Sequence, residues 1–117
     1  MHSYRVRPGY GSDKLLIEFG PSFGDPQFWA DLKSVFLRQG FKPGKSGHYV
    51  VGVFTIFDSP AGLFKLEDDG WAGFIVADKN QAAVHYLDQV FQSSSLFRKE
   101  EVDYSEYAQP KDRANDE

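Results

Sequence analysis

The clearest pattern in the chain is a stripe of large apolar residues at helical spacing between Pro26 and Gly40. Asp25, just before the stripe, can cap a helix, and Pro26 suits the first helical position. Gly40 stands where a helix commonly ends in a left-handed residue, and Phe41 behind it can contact Phe36. The pattern therefore predicts an amphipathic helix. Its predicted buried face consists of Phe28, Trp29, Leu32, Val35 and Phe36.

A second stripe with helical spacing follows Asp78. Gln81 stands three residues after this aspartate, as in a capping box, where two side chains satisfy the first amides of a helix. The pattern predicts a second amphipathic helix that ends at the serines of residues 93–95. Its predicted buried face consists of Ala83, Val84, Leu87, Val90 and Phe91.

Several segments have the apolar runs or the alternation that are typical of strands. Three lie between the helices, separated by turn-forming residues, one precedes the first helix, and two more are candidate edge strands. In that order they are residues 49–57, 63–67 and 71–77, then 14–19, then 3–7 and 96–104. The basic, glycine-containing stretch 40–46 is predicted to be a connecting loop.

The order of these elements predicts an α+β fold of strand, helix, three strands, helix and strand. Two amphipathic helices need one apolar sheet face to cover, so we expect a two-layer sandwich with both helices on one face. Its sheet is expected to be mainly antiparallel, with about four to six strands. The opposite face would stay uncovered and could receive a partner, a second subunit or a ligand. Residues expected on that face come from Tyr49, Val51, Val53, Thr55, Trp71 and Ile75.

Length and composition indicate one domain. The chain has 117 residues, of which 41% are hydrophobic and 16% aromatic, so it can bury a core without metal or disulfide support. Residues 107–117 are polar and charged and include no large aliphatic side chain. Such a segment cannot bury enough apolar surface to offset its ordering entropy. We therefore expect a single domain over residues 1–106 and a disordered tail over residues 107–117.

The absence of cysteine excludes several kinds of chemistry. No disulfide, thiolate nucleophile, iron–sulfur cluster or cysteine-based zinc site can form. His2, His48 and His85 are far apart and lack metal-ligand spacing, so neither a metal nor a cofactor is predicted. The first residues lack the apolar core of a signal peptide, and the longest apolar run is far shorter than the roughly 20 residues of a membrane span. We expect a cytoplasmic protein without membrane contact.

Charge is divided unevenly along the chain. Residues 1–50 carry seven basic and four acidic side chains, a net of +3, whereas residues 51–97 and 98–117 have nets of −4 and −3. The whole chain therefore has a formal net charge of −4. An acidic balance argues against non-specific nucleic-acid binding, which needs a basic surface to replace the counterions of phosphates. A local basic patch in the first half remains compatible with this balance.

The stretch 40–46 resembles a phosphate-binding loop but does not meet its requirements. Gly40 and Gly44 are separated by three residues instead of four. The stretch also follows a predicted helix and precedes a strand, the reverse of the order that aims helix amides at a phosphate. Cations near the end of the first helix complement its dipole, which is a sufficient structural explanation for them. The members of this basic patch are Arg38, Lys42, Lys45 and His48.

The sequence offers six candidate binding residues but no catalytic set. They are Tyr49, Val53 and Trp71 on the predicted uncovered face, with His48, Asp68 and Asp69 beside it. The two aspartates precede Trp71 in a turn that can present an acidic, aromatic contact to a basic partner. His48 can act as an acid–base group or contact an anion.

These residues favour a non-catalytic interaction protein over an enzyme. Such an interaction protein would bind and regulate another protein, or form a homodimer, through an exposed aromatic face of its sheet. The alternative is a small-molecule binder or a modest enzyme that uses the same face as a pocket, with His48, Asp68 and Asp69 as its first polar groups. An interface needs a broad apolar surface, whereas a ligand needs a concave site of about 300–1,000 Å³.

Overall fold

A computed structural model describes residues 2–9, 12–20, 24–48, 52–70 and 72–104. Within these ranges the chain forms seven strands and two helices. In chain order they are β1 His2–Pro8, β2 Leu15–Phe19, α1 Pro26–Arg38, β3 Lys42–His48, β4 Val53–Ser59, β5 Gly62–Asp68, β6 Gly73–Val76, α2 Gln81–Gln92 and β7 Phe97–Lys99. The strands form one sheet in the order β3-β4-β5-β6-β2-β1-β7. Only the β1–β7 pair among these is parallel.

The α+β fold is confirmed, but the predicted strand count was too low. The sheet has seven described strands, and its one parallel pair makes it mixed. The additional strand is β3, which occupies most of the stretch predicted to be a loop. Its sequence, KPGKSGH, has no large apolar side chain, and it lies at the exposed edge of the sheet. Such a strand has no apolar alternation by which the sequence could reveal it.

Other predicted boundaries moved by a few residues. The strand predicted over 49–57 begins at Val53, and the one predicted over 71–77 is limited to Gly73–Val76. Of the candidate strand 96–104, only Phe97–Lys99 is a strand. The predicted residues Tyr49, Val51 and Trp71 and the predicted tail 107–117 lie outside the described residues.

The ends of α1 agree with the sequence prediction. The backbone amide of Gln27 donates to the Asp25 carboxylate at 2.9 Å, so Asp25 caps the helix. At the other end Gly40 has a φ of 76°, and the Phe41 amide donates to the Phe36 carbonyl at 3.0 Å. This is the Schellman ending, and the Phe36 and Phe41 rings pack with centroids 5.1 Å apart.

The predicted capping box of α2 is wrong. The N-cap is Asn80, and it makes no side-chain capping bond. The side-chain amide of Asn80 instead donates to the backbone carbonyls of Ala61 and Leu63, at 2.9 and 3.3 Å. The Gln81 side chain accepts from the Leu15 amide and donates to the Leu15 carbonyl. These side chains therefore attach the start of α2 to the sheet rather than cap the helix.

Both helices pack against the same face of the sheet. The ring of Phe19 on β2 lies 5.0 Å from that of Phe28 on α1 and 5.7 Å from that of Phe91 on α2. Further along α1, the ring of Phe36 contacts Phe57 and Phe64 on β4 and β5. Most of the aromatic residues in the chain therefore serve the core between sheet and helices.

Val53, Thr55 and Ile75, the three described residues that were predicted to face away from the helices, face them instead. Ile75 is completely buried and pairs with Ile17 and Leu66, which places all three on the helix side. Thr55 pairs with Leu66 and therefore also faces the helices, as does Val53 two positions earlier. β4 and β6 carry apolar residues at both alternating positions, so the sequence left their orientation open. The face opposite the helices contains Arg5, Arg7, Leu16, Glu18, Phe54, Ile56, Lys65, Glu67, Phe74 and Val76.

Candidate functional site

Three of the six predicted binding residues lie in one row across the sheet. His48 is the register partner of Val53, and Val53 is the register partner of Asp68. Directly opposed residues of neighbouring strands share a face, so these side chains lie together at one end of β3, β4 and β5. Two of the other candidates, Tyr49 and Trp71, lie outside the described residues.

A close backbone approach precedes this row. A methyl group added to Gly52 would overlap the backbone carbonyl oxygen of Asp68 and come near the backbone of Asp69. Any larger residue would therefore displace the start of β4 from the end of β5. Gly52 thus keeps Val53 in register with Asp68.

The two aspartates of the acidic turn are engaged in building it. The carboxylate of Asp68 accepts from the Gly70 amide, and that of Asp69 accepts from the Ala72 amide, each at 2.8 Å. Gly70 has a φ of 86°, the left-handed conformation that a tight turn requires. This confirms a turn at Asp69 and Gly70 and gives both carboxylates a structural role. Among the described residues, no three His, Asp or Glu side chains lie close enough together to hold a metal ion.

A polar cluster formed by Tyr4, Asp88 and Lys99 connects β1, α2 and β7. The Tyr4 hydroxyl and the Lys99 ammonium each donate to the Asp88 carboxylate at 2.8 Å. Burial, the hydrogen bond to Asp88 and its negative charge all raise the pKa of Tyr4. Burial also acts to raise the pKa of Asp88, but the hydrogen bonds from Lys99, Tyr4 and Gln92 outweigh it and lower that pKa. A phenol held protonated cannot serve as a base near neutral pH, so this cluster is a structural contact.

His2 and Asp31 form a corresponding contact between β1 and α1. Nε2 of His2 lies 2.7 Å from Oδ2 of Asp31. The side-chain amide of Gln27 donates to the other oxygen of the same carboxylate at 2.8 Å. The hydrogen bond from His2, followed by that from Gln27, lowers the pKa of Asp31. With the Asp88 cluster, this contact means that each helix is attached to β1 through an ionisable side chain.

A concave surface lies between α1 and strands β3 to β5, and we call it the α1 groove. It has a volume of about 330 Å³. Its lining consists of Trp29, Leu32, Lys33, Phe36, Leu37, Phe41, Pro43, Thr55, Phe57 and Leu66. Eight of these ten side chains are mainly apolar, and the groups that can form hydrogen bonds are Lys33, Thr55 and the indole N–H of Trp29.

Leu37 gives the groove an exposed apolar rim. It is 67% exposed, the most of any large hydrophobic residue that the structure describes. Trp29, Lys33 and Leu37 follow one another at intervals of four residues and therefore line one side of α1. Val53 faces the same side of the sheet as Thr55 and is 42% exposed, so the apolar surface continues towards the His48 row.

Sequence reasoning did not identify Leu37 or the groove. Leu37 directly follows the predicted buried stripe and lies two turns after Trp29 on the same side of α1, with Lys33 between them. An apolar residue at this position widens the apolar face of the helix. That signal was present in the sequence. The groove itself depends on where α1 crosses the sheet, and no local pattern specifies this.

A second hollow of about 520 Å³ lies beside the start of α2 and is bordered by Leu63, Lys65, Val76, Lys79 and Asn80, among others. It is larger than the α1 groove but shallower, and it is distant from the row of His48, Val53 and Asp68. The amide of Asn80 is already bonded to the backbone of β5 and the preceding turn. We therefore regard the α1 groove as the better candidate site.

Comparison of the chain with protein-family models, with curated proteins and with solved structures found no match. Neither described helix has the length and apolar character that crossing a bilayer requires.

Proposed function

We propose that this chain is a small, non-catalytic protein–protein interaction domain of the cytoplasm and that the α1 groove is its contact surface. The observation that carries this proposal is the combination of an apolar groove lining with the exposed rim residue Leu37. Full burial of a large aliphatic side chain contributes about 1.5–3 kcal/mol of favourable free energy. A partner that covers Leu37 would therefore gain part of this free energy on binding. A cysteine-free composition suits a reducing compartment.

The face opposite the helices is a weaker candidate for the interface. Its apolar side chains alternate with charged ones, and Glu18 forms ion pairs with both Arg5 and Arg7. The ammonium of Lys65 lies 5.0 Å from the centre of the Phe54 ring. These contacts divide the apolar area of this face, whereas the lining of the α1 groove is continuous.

The volume of the groove also supports a second candidate function, the binding of a small molecule. About 330 Å³ is at the lower end of the range of about 300–1,000 Å³ that is typical of ligand pockets. Such sites use a few polar groups to orient the ligand, and the lining of this groove supplies Lys33, Thr55 and the indole N–H of Trp29. We favour the protein partner because Leu37 extends the apolar surface beyond the concave part.

Site-specific photo-crosslinking tests the proposal. A benzophenone amino acid is placed at position 37 or, as a matched control, at Leu63, another exposed leucine (59%) outside the groove. In cells that naturally express the protein, we expect a discrete protein adduct from position 37 and none from position 63. The adduct is identified by mass spectrometry and the pair is reconstituted from purified proteins. Adducts of equal yield from both positions, or none from position 37, would overturn the proposal.

The same purified protein distinguishes the small-molecule alternative. A metabolite panel is screened for an increase in melting temperature, since a ligand that binds only the folded state stabilises it. A stabilising compound whose effect is lost in Leu37→Asp, together with no adduct from position 37, would establish the alternative instead.

A further inference from the structure

The lining of the α1 groove contains a cation and no carboxylate. The cation is Lys33, which is exposed and forms no ion pair with another described residue.

The sequence that forms most of the groove is likewise free of acidic residues. Residues 32–57 contain four lysines and arginines and no aspartate or glutamate, in a chain with a net charge of −4. This stretch supplies the second half of α1, all of β3 and most of β4. The groove is therefore built largely from the one long part of the chain that has no acidic side chain.

We propose that the partner contributes an acidic segment with large apolar side chains, which inserts an apolar anchor into the α1 groove and places carboxylates next to Lys33. This inference rests on the proposed function and specifies its partner. The apolar lining provides the site for the anchor, while the exposed Lys33 and the lack of carboxylates in the lining provide charge complementarity. A nucleic acid would use Lys33 but would leave an apolar groove beside Leu37 unfilled.

A peptide selection tests this inference directly. Random peptides displayed on phage are selected on the immobilised full-length chain, and the enriched sequences are synthesised with a fluorophore. We expect enriched peptides with leucine or aromatic anchors flanked by aspartate and glutamate. Their binding, measured by fluorescence anisotropy, should weaken as ionic strength rises, because exposed charge pairs are screened by salt.

Four variants localise the binding site. Leu37→Asp and Lys33→Glu should each weaken peptide binding about tenfold or more, since each places a charge that opposes the bound segment. Leu63→Asp and Lys79→Glu make the same chemical changes at exposed positions outside the groove and should leave affinity unchanged. Circular dichroism spectra and melting curves of all four variants control for misfolding.

The outcomes separate this inference from the proposed function. Enriched basic or uncharged peptides whose binding still depends on Leu37 would overturn the acidic partner and leave the interaction domain intact. Peptides that bind equally well to Leu37→Asp and to Leu63→Asp would also overturn it. No enriched peptide and no adduct from position 37 would overturn both. An adduct that proves to be a dimer of this chain would replace the acidic partner with a second copy.

Discussion

The two ends of the sheet differ in what their side chains do. In one half, formed by β6, β2, β1 and β7, Ile17 and Ile75 are fully buried under the helices, and Asp31 and Asp88 attach both helices to β1. In the other half, formed by β3 and β4, nearly every residue of β3 is exposed and Val53 is 42% exposed. The first half attaches both helices to the sheet, whereas the second leaves more of its side chains exposed to solvent.

The exposed half is nevertheless protected against sheet extension. β3 is an edge strand that contains Pro43 and two lysines, and its register shifts between Pro43 and Ser46. Prolines, lysines and bulges on an edge strand all discourage pairing with a further strand. A partner is therefore expected to use the side-chain groove beside α1 rather than the backbone of β3.

A large loss of stability should come from emptying the core of the covered half. Phe28 is fully buried, and its ring contacts those of Phe19, His2 and Phe97. Phe28→Ala should lower the free energy of unfolding by about 3–5 kcal/mol, because it removes the transfer energy of the ring and leaves a cavity. Urea denaturation at neutral pH measures this loss.

Leu63→Ala is the control for the core variant. Leu63 is 59% exposed, so its truncation should change the free energy of unfolding by no more than about 0.5 kcal/mol. Comparable losses in the two variants would contradict the packing described for the covered half.

A smaller effect is expected from the Asp88 cluster. Asp88→Asn removes the charge that receives hydrogen bonds from Tyr4 and Lys99, and should cost about 1.5 kcal/mol at neutral pH. Asp78→Asn, at an exposed position, should cost less than about 0.5 kcal/mol.

The pH dependence of stability follows from the same carboxylates. Asp88 and Asp31 both have a pKa below the ordinary aspartate value of 3.8, so at low pH the unfolded chain binds more protons than the folded one. Stability from these groups is fully present above that value and is lost as pH falls through the lowered pKa values. Unfolding free energies at neutral pH and at pH 3 should therefore differ less in an Asp31→Asn/Asp88→Asn double variant than in the wild type. An equal difference would show that other groups cause the acid sensitivity.

The same contrast explains what could be predicted from the sequence. The limits of α1 were predictable because Asp25, Gly40 and Phe41 determine its ends through local contacts. The turn at Asp69 and Gly70 was predictable for the same reason. β3 was not, since an exposed edge strand of lysine, glycine and proline needs no apolar pattern and resembles a loop.

The direction in which the side chains of β4 point, and the location of the α1 groove, depend on contacts between distant parts of the chain. β4 has apolar side chains at alternating positions on both faces, so only its pairing with β5 shows that Thr55 and Val53 face the helices. The row of His48, Val53 and Asp68 likewise arises from the register of three strands. The groove depends on the path of α1 across the sheet, which no single segment encodes.

The smallest effect on stability is expected at Leu37. It tests most directly the contrast between the buried core and the exposed rim of the α1 groove. Leu37→Asp should change the free energy of unfolding by no more than about 0.5 kcal/mol, because the side chain is 67% exposed. Val35, two positions earlier, is 5% exposed, and Val35→Asp should prevent folding because it buries an unpaired charge. Urea denaturation measures the free energy of Leu37→Asp, with the slope of the transition as a check on compactness, and should show no cooperative transition for Val35→Asp. If Leu37→Asp cost much more than this, Leu37 would belong to the core, and the rim of the groove would serve the fold rather than a partner.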